Sequence, residues 1–169
     1  VAISTIFINT NLAACGGVLV AAVIPRLMTG KTDVVMMLNG AIGGLVAITA
    51  EPLAPSPLAA ILIGGVGGLI VVLGTKLLFS LKIDDVVGAI PAHLFAGIWG
   101  TLAVPLTNAD ASFGAQLTGV LAVNIFVFVV ALIIWAIMKN TVGIRLSKEA
   151  ERLGTDVAET GVIAYAIRD

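Results

Sequence analysis

Charge is what this 169-residue chain has least of. Asp, Glu, Lys and Arg make up 11% of it, where a water-exposed domain carries roughly 25%. That shortage excludes a globule that faces water on all sides. A hydrophobic content of 59% excludes a disordered chain, which needs low hydrophobicity and high charge. There is no basic excess: nine Lys+Arg stand against ten Asp+Glu, a formal net charge of -1, so nucleic acid meets no basic face. The single cysteine, Cys15, lies in an apolar run and rules out an internal disulfide framework. The single histidine, His93, has no second imidazole or convergent carboxylates with which to hold a metal, so no metal is expected. No Ser or Cys stands at the spacing of a nucleophile with its base and orienting acid. Neither an enzyme nor a cofactor is expected. What remains is an integral membrane protein whose solvent is the lipid bilayer.

What is present is a series of long apolar runs. A helix needs about 20 apolar residues to cross about 30 Å of hydrocarbon. Charges and Pro-rich breaks divide the chain into five candidate spans, at residues 1–24, 34–50, 57–75, 86–106 and 113–138. The fold class expected is all-α, a polytopic membrane helix bundle over residues 1–138. Residues 139–169 hold five of the nine basic and five of the ten acidic residues and read as an aqueous tail, with a short helix around Ser147–Leu153. The chain opens on Val1 without Met and without a charged n-region, so a signal peptide is not expected, and part of a longer polypeptide is.

Five spans alternate the loops between two sides. Arg26 and Lys31 then share a side with Lys76, Lys82 and the tail, so all nine basic residues fall together. The opposite loops, 51–56 and 107–112, carry Glu51 and Asp110 and no Lys or Arg. The positive-inside rule places the basic side in the cytoplasm, with the start of the chain outside. Four or six spans would scatter the basic residues to both sides.

Glycine is abundant in the spans. Gly40 and Gly44, and likewise Gly64 and Gly68, put small residues on one helix face and let backbones approach closely. Asp84 and Asp85 precede the fourth span and read as a cap on its orphan N–H groups and its positive dipole end. His93 lies well inside that span, where an ionisable group is costly and marks a candidate site. A neutral imidazole donates from one nitrogen and accepts at the other. The residues leave two readings open: His93 lines an apolar pore, or it packs against a neighbouring helix that satisfies it. Ala89, four residues earlier, shares its helix face.

The stretch Asp84-Asp85-Val-Val-Gly88-Ala89-Ile-Pro91-Ala-His93, continuing to Gly97-Ile-Trp99-Gly100-Thr101-Leu102, resembles the DDxxGAxxxHxxxGIWGTL segment of the Amt/Mep/Rh ammonium transporters. Phe7-Ile-Asn9-Thr10-Asn11 is similar to their FxNTN segment, and Leu38-Asn39-Gly40-Ala41, on to Thr49-Ala50, to their LNGALAGLVAITA segment. In the tail, Gly143-Ile-Arg145, Gly154-Thr-Asp156 and Gly161-Val-Ile-Ala164-Tyr165 resemble the ending GLR…GxDxxxHGxxAY, with Thr160 in place of its histidine. The resemblance covers nearly the whole chain and corresponds to spans seven to eleven of the family's eleven-helix inverted-repeat transporter fold.

The resemblance implies a homotrimer with a hydrophobic pore in each subunit, lined by two histidines, one from each inverted half. His93 corresponds to the second, Ala89 would line the pore beside it, and Thr49 and Asn9 correspond to polar positions near the helix packing and the pore wall. Ammonium, as NH4+ or NH3, would be the substrate. The tail, with Gly154, Asp156, Gly161 and Tyr165, would pack under a neighbouring subunit, with PII-type signal proteins docking on the cytoplasmic face. The expected location is a bacterial inner (plasma) membrane. Two alternatives accompany this reading. One is the ammonium-sensing membrane domain of a signalling protein. The other is a structural fragment, inactive without its N-terminal half because a pore between inverted repeats needs both.

Overall fold

A computed structural model describes residues 1–164. The described residues are helical, with turns and no strand. Six helices follow in order: α1 (Ala2–Thr29), α2 (Val34–Thr49), α3 (Pro57–Ser80), α4 (Ile90–Leu106), α5 (Phe113–Thr141) and α6 (Lys148–Leu153). Their starts are written locally. Asp33 accepts the Met36 N–H at 3.0 Å and opens α2. Ser56 accepts the Ala59 N–H at 3.3 Å ahead of Pro57, a proline whose missing N–H costs nothing in a first turn. Both are N-cap types that satisfy orphan donors.

The chain divides into two compact units, Val1–Val123 and Asn124–Asp169. In the first, α1 packs on α2 and α3, α2 on α3 and α4, and α3 on α4. Lipid provides no hydrophobic drive between helices, so close backbone packing has to hold them. Here glycine is required for space. A Cβ on Gly17 would run into the Gly40 carbonyl, and one on Gly64 into the Ala13 carbonyl. The core between the helices is correspondingly made of small residues, Ala13, Ala47, Ala60 and Ala103 with Ile48 and Ile63, and Leu12 and Trp99 pack against it.

Three helices, α1, α3 and α5, are long and apolar enough to cross a membrane; α2 and α4 are apolar but shorter. The 16 residues of α2 rise about 24 Å at 1.5 Å each, against about 30 Å of hydrocarbon. With these helices and this packing the chain is a membrane helix bundle. None of the residues of α5 is buried within the chain.

The second unit holds the end of α5 and the tail. Ser147 accepts the Ala150 N–H and caps α6, and Arg145 pairs with Glu151 at 2.8 Å. Asp156–Thr160 forms a π-helical turn that ends on Gly161.

Candidate functional site

The entry to α4 is not a simple helix start. Val86 to Gly88 turn, with Gly88 at φ 74, a left-handed conformation that costs glycine nothing. Asp85 then places both carboxylate oxygens on the next orphan donors, accepting the Ala89 N–H at 2.8 Å and the Ile90 N–H at 2.9 Å. Asp84, expected to share this work, makes no hydrogen bond among the described residues; it lines a cleft with Thr75, Leu78, Phe79 and Ile83. The span expected from residue 86 thus begins four residues later, at Ile90, because Gly88 turns the backbone before the helix can start.

Pro91 follows within the first turn of the helix, where its missing N–H would have been an orphan donor in any case, and the carbonyl of Val87 lies before the helix, behind the left-handed Gly88. The Asn39 side chain of α2, 8% exposed, donates to that carbonyl at 2.7 Å. Ile90–Phe95 is a π turn, with the Ala96 N–H reaching back to the Pro91 carbonyl. Regular α-helix resumes at Ala96–Ala103 and tightens to a 3-10 turn at Val104–Leu106. Such wide turns recur at functional sites.

His93 lies inside the π turn. Its neighbours Pro91 and Ala92 are buried against α2 and α3, whereas His93 and Ala89 are exposed and lie on one side of the helix start. Among the described residues the imidazole makes no hydrogen bond. Farther along α4, Ala96, Gly100 and Ala103 face the bundle. The Trp99 indole N–H donates to the Ile63 carbonyl of α3 at 3.0 Å and ties the two helices together.

The other expected residues fall elsewhere. Thr49 is on an exposed part of α2 and its hydroxyl donates to the Leu45 carbonyl of its own helix at 2.7 Å. Asn9 is fully buried. Its amide donates to the carbonyls of Pro52 and Pro55 at 2.9 and 2.8 Å and holds the loop after α2. It does not share a surface with His93. Glu51 organises the same loop, accepting from the N–H groups of Leu53 and Ala54 and from the Asn108 amide at 3.2 Å. In the tail, the Asp156 carboxylate accepts the Ala164 N–H at 2.8 Å, and Gly154 and Gly161 bracket that loop at positive φ. Backbone donors, that of Ala164 first and that of Val157 second, hold the Asp156 carboxyl below its ordinary pKa. Tyr165 lies outside the described residues.

Sequence reasoning gave no role to Asn39. The available signal was an amide in an apolar run, but its partner, the Val87 carbonyl, is set by the fold.

Known proteins share both sequence and shape with this chain. It is 42% identical to the ammonium transporter Amt2 of Archaeoglobus fulgidus, covering 96% of this chain and 39% of that protein. It is 34% identical to an ammonium transporter of Bacillus subtilis, covering 94% and 43%. Among solved structures, a sensor Amt protein superposes with a TM-score of 0.87 at 27% identity, over 94% of this chain and 42% of the other. A mutant of Candida albicans Mep2 does so at 0.76 and 29%, over 92% and 39%. The chain spans about two-fifths of the length of the curated relatives it matches. The sequence model of the Ammonium Transporter Family matches residues 1–165, and with relatives of this similarity the chain belongs to that family.

Proposed function

We propose that this chain forms the C-terminal portion of an ammonium channel-transporter and supplies one wall of its hydrophobic pore. The observation that carries the reading is His93. It is the only imidazole, it lies within an apolar helix, and it is exposed on the side of α4 away from the bundle, with no hydrogen-bond partner among the described residues. A polar group at membrane depth needs a partner or a purpose. In a pore between two repeats, the second repeat would provide both the facing wall and a partner for one ring nitrogen, leaving the other edge for ammonia. Ala89 leaves room beside the ring. An apolar passage offers K+ and Na+ no replacement for their hydration shells, whereas ammonium can release a proton, cross as NH3 and hydrogen-bond on the way.

The remainder of the reading is a homotrimer in a bacterial plasma membrane, with start outside, cytoplasmic tail, the tail's Gly154–Ala164 loop against a neighbouring subunit, and a PII-type signal protein as the partner that docks on the cytoplasmic face. His93→Ala in the full-length protein, reconstituted in liposomes, is expected to change ammonium currents or their selectivity over K+ at unchanged protein amount. Unchanged currents and unchanged K+ exclusion would make His93 a packing residue. The likeness to a sensor Amt protein supports a second reading, in which ammonium binds at His93 without crossing. Saturable binding without flux in the same liposomes would favour it.

A further inference from the structure

We infer that Gly97 is a specificity-determining residue of the passage at His93: the side chain it lacks leaves the space that sets how large an amine can pass. The inference rests on the pore reading of His93. Most glycines of α1 to α4 are fixed by contacts within this chain, since a Cβ would collide with a facing backbone or side chain. Gly65 and Gly97 are the two exceptions. A Cβ on Gly97 would have the Val46 side chain of α2 at 3.6 Å, an ordinary contact, whereas one on Gly100, three residues on, would run into the Ala47 carbonyl. Alanine is the better helix former, so a mid-helix glycine that no contact in the chain requires costs stability without improving the packing. Its position relates it to His93. Ala96, Gly100 and Ala103 form the buried face of α4, and Gly97, half-buried, lies on the flank toward α2. His93 stands four residues before it. Residues four apart in a regular helix are about 40° apart around the axis, and the π turn that carries His93, with fewer degrees per residue, brings the two closer into line. Ala89, His93 and Gly97 thus follow one another along the same side of α4, and the bare Cα of Gly97 lies one turn beyond the imidazole. The hydroxyls nearest along the two helices belong to Thr101 and Thr49. They donate to the Gly97 carbonyl at 2.9 Å and to the Leu45 carbonyl at 2.7 Å, so neither donates to a passing molecule. With Val46 as the facing group, this level selects on size: ammonia passes, and each added carbon must fit in the space of one absent side chain.

The test compares ammonium with methylammonium, one methyl group larger, in the full-length protein in liposomes. Gly97→Ala fills the space with one methyl group. It is expected to lower methylammonium conduction about tenfold more than that of ammonium, the lower end of the range for one carbon in a fitted site. Gly97→Val should extend the loss to ammonium itself. Gly65→Ala, which fills the other open space, on α3, is the control and should leave the ratio of the two conductions unchanged. The melting temperature of Gly97→Ala in detergent should not fall, because the added methyl group displaces no contact. An unchanged ratio in Gly97→Ala would overturn the proposal. So would a lowered melting temperature or a failure to assemble, since either would mean that a helix of the other repeat packs on Gly97 and that the glycine serves contact rather than passage. Unchanged ammonium currents and K+ exclusion in His93→Ala would instead overturn the pore reading beneath it.

Discussion

Asp156 shows how much one carboxylate can organise in a segment without a core. It accepts the Ala164 N–H across eight positions of chain, its own carbonyl accepts from the Thr160 hydroxyl and the Val162 N–H, and no apolar residue of the loop is buried. The loop 154–164 is therefore held by hydrogen bonds alone, and Asp156 accepts more of them than any other residue, beside the Ala158–Gly154 and Gly161–Val157 backbone bonds. Because these bonds lower the carboxyl's pKa, folding of the loop is favoured fully above the ordinary Asp value of about 3.9. That contribution is lost as pH falls below it and through the lowered value. Amide exchange at Ala164 should accelerate in that acid window in the wild type. Asp156→Asn keeps an acceptor oxygen and loses the charge, so it should give faster exchange at neutral pH and no acid-dependent step. A wild-type profile flat down to pH 2 would count against the carboxylate's role. The Arg145–Glu151 pair, both side chains well exposed, is expected to add little, since water and salt screen such pairs and ordering two long side chains offsets their attraction.

Helices in this chain are joined through their backbones more than through side chains. Gly64 illustrates it: a Cβ there would collide with the Ala13 carbonyl, whereas one on the adjacent Gly65 would sit 3.4 Å from the Val20 side chain and 3.8 Å from the Gly16 carbonyl, with no collision. Gly64→Val should therefore separate α1 from α3 at a cost of at least about 1–3 kcal/mol, the usual range for overpacking, and Gly65→Ala should be tolerated. Thermal unfolding of the full-length protein in detergent would compare the two; equal melting temperatures would contradict the close approach. Much of the element scale is legible in sequence. Asp33, Ser56 and Ser147 announce helix starts through short-range capping, and the glycine spacings announce close contact. The fine structure of α4 is not. Pro91 and Gly88 signal an irregularity, but neither specifies a π turn, and the amide that holds the Val87 carbonyl just before it comes from Asn39, 48 positions away. For the same reason the sequence places Asn9 only near the helix packing and the pore wall, while the fold shows its amide N–H groups donating to the carbonyls of Pro52 and Pro55, 43 and 46 positions on. Asp85 was legible because its partners are four and five residues away.

At the scale of the whole molecule, topology is the property most open to direct measurement. Residues 30–33 carry Lys31, while residues 51–56 carry Glu51 and no basic residue. In a full-length protein freed of Cys15, cysteines at Thr32 and Ser56 should react with an impermeant thiol reagent from opposite faces, Ser56→Cys from outside; labelling of both from one face would reject the five-span arrangement. The π turn at Ile90–Phe95 has a consequence for such an arrangement that concerns phase. A turn of this kind holds one residue more than an α turn, so every side chain beyond it is advanced by one position, about 100° around the axis. Trp99, Gly100 and Ala103 meet the bundle in the phase set after that surplus residue, and Ala89 points outward in the phase set before it. The helix is two registers joined at His93, and the two faces of α4 stay matched to their neighbours only while the count of residues between Asp85 and Ala96 is kept.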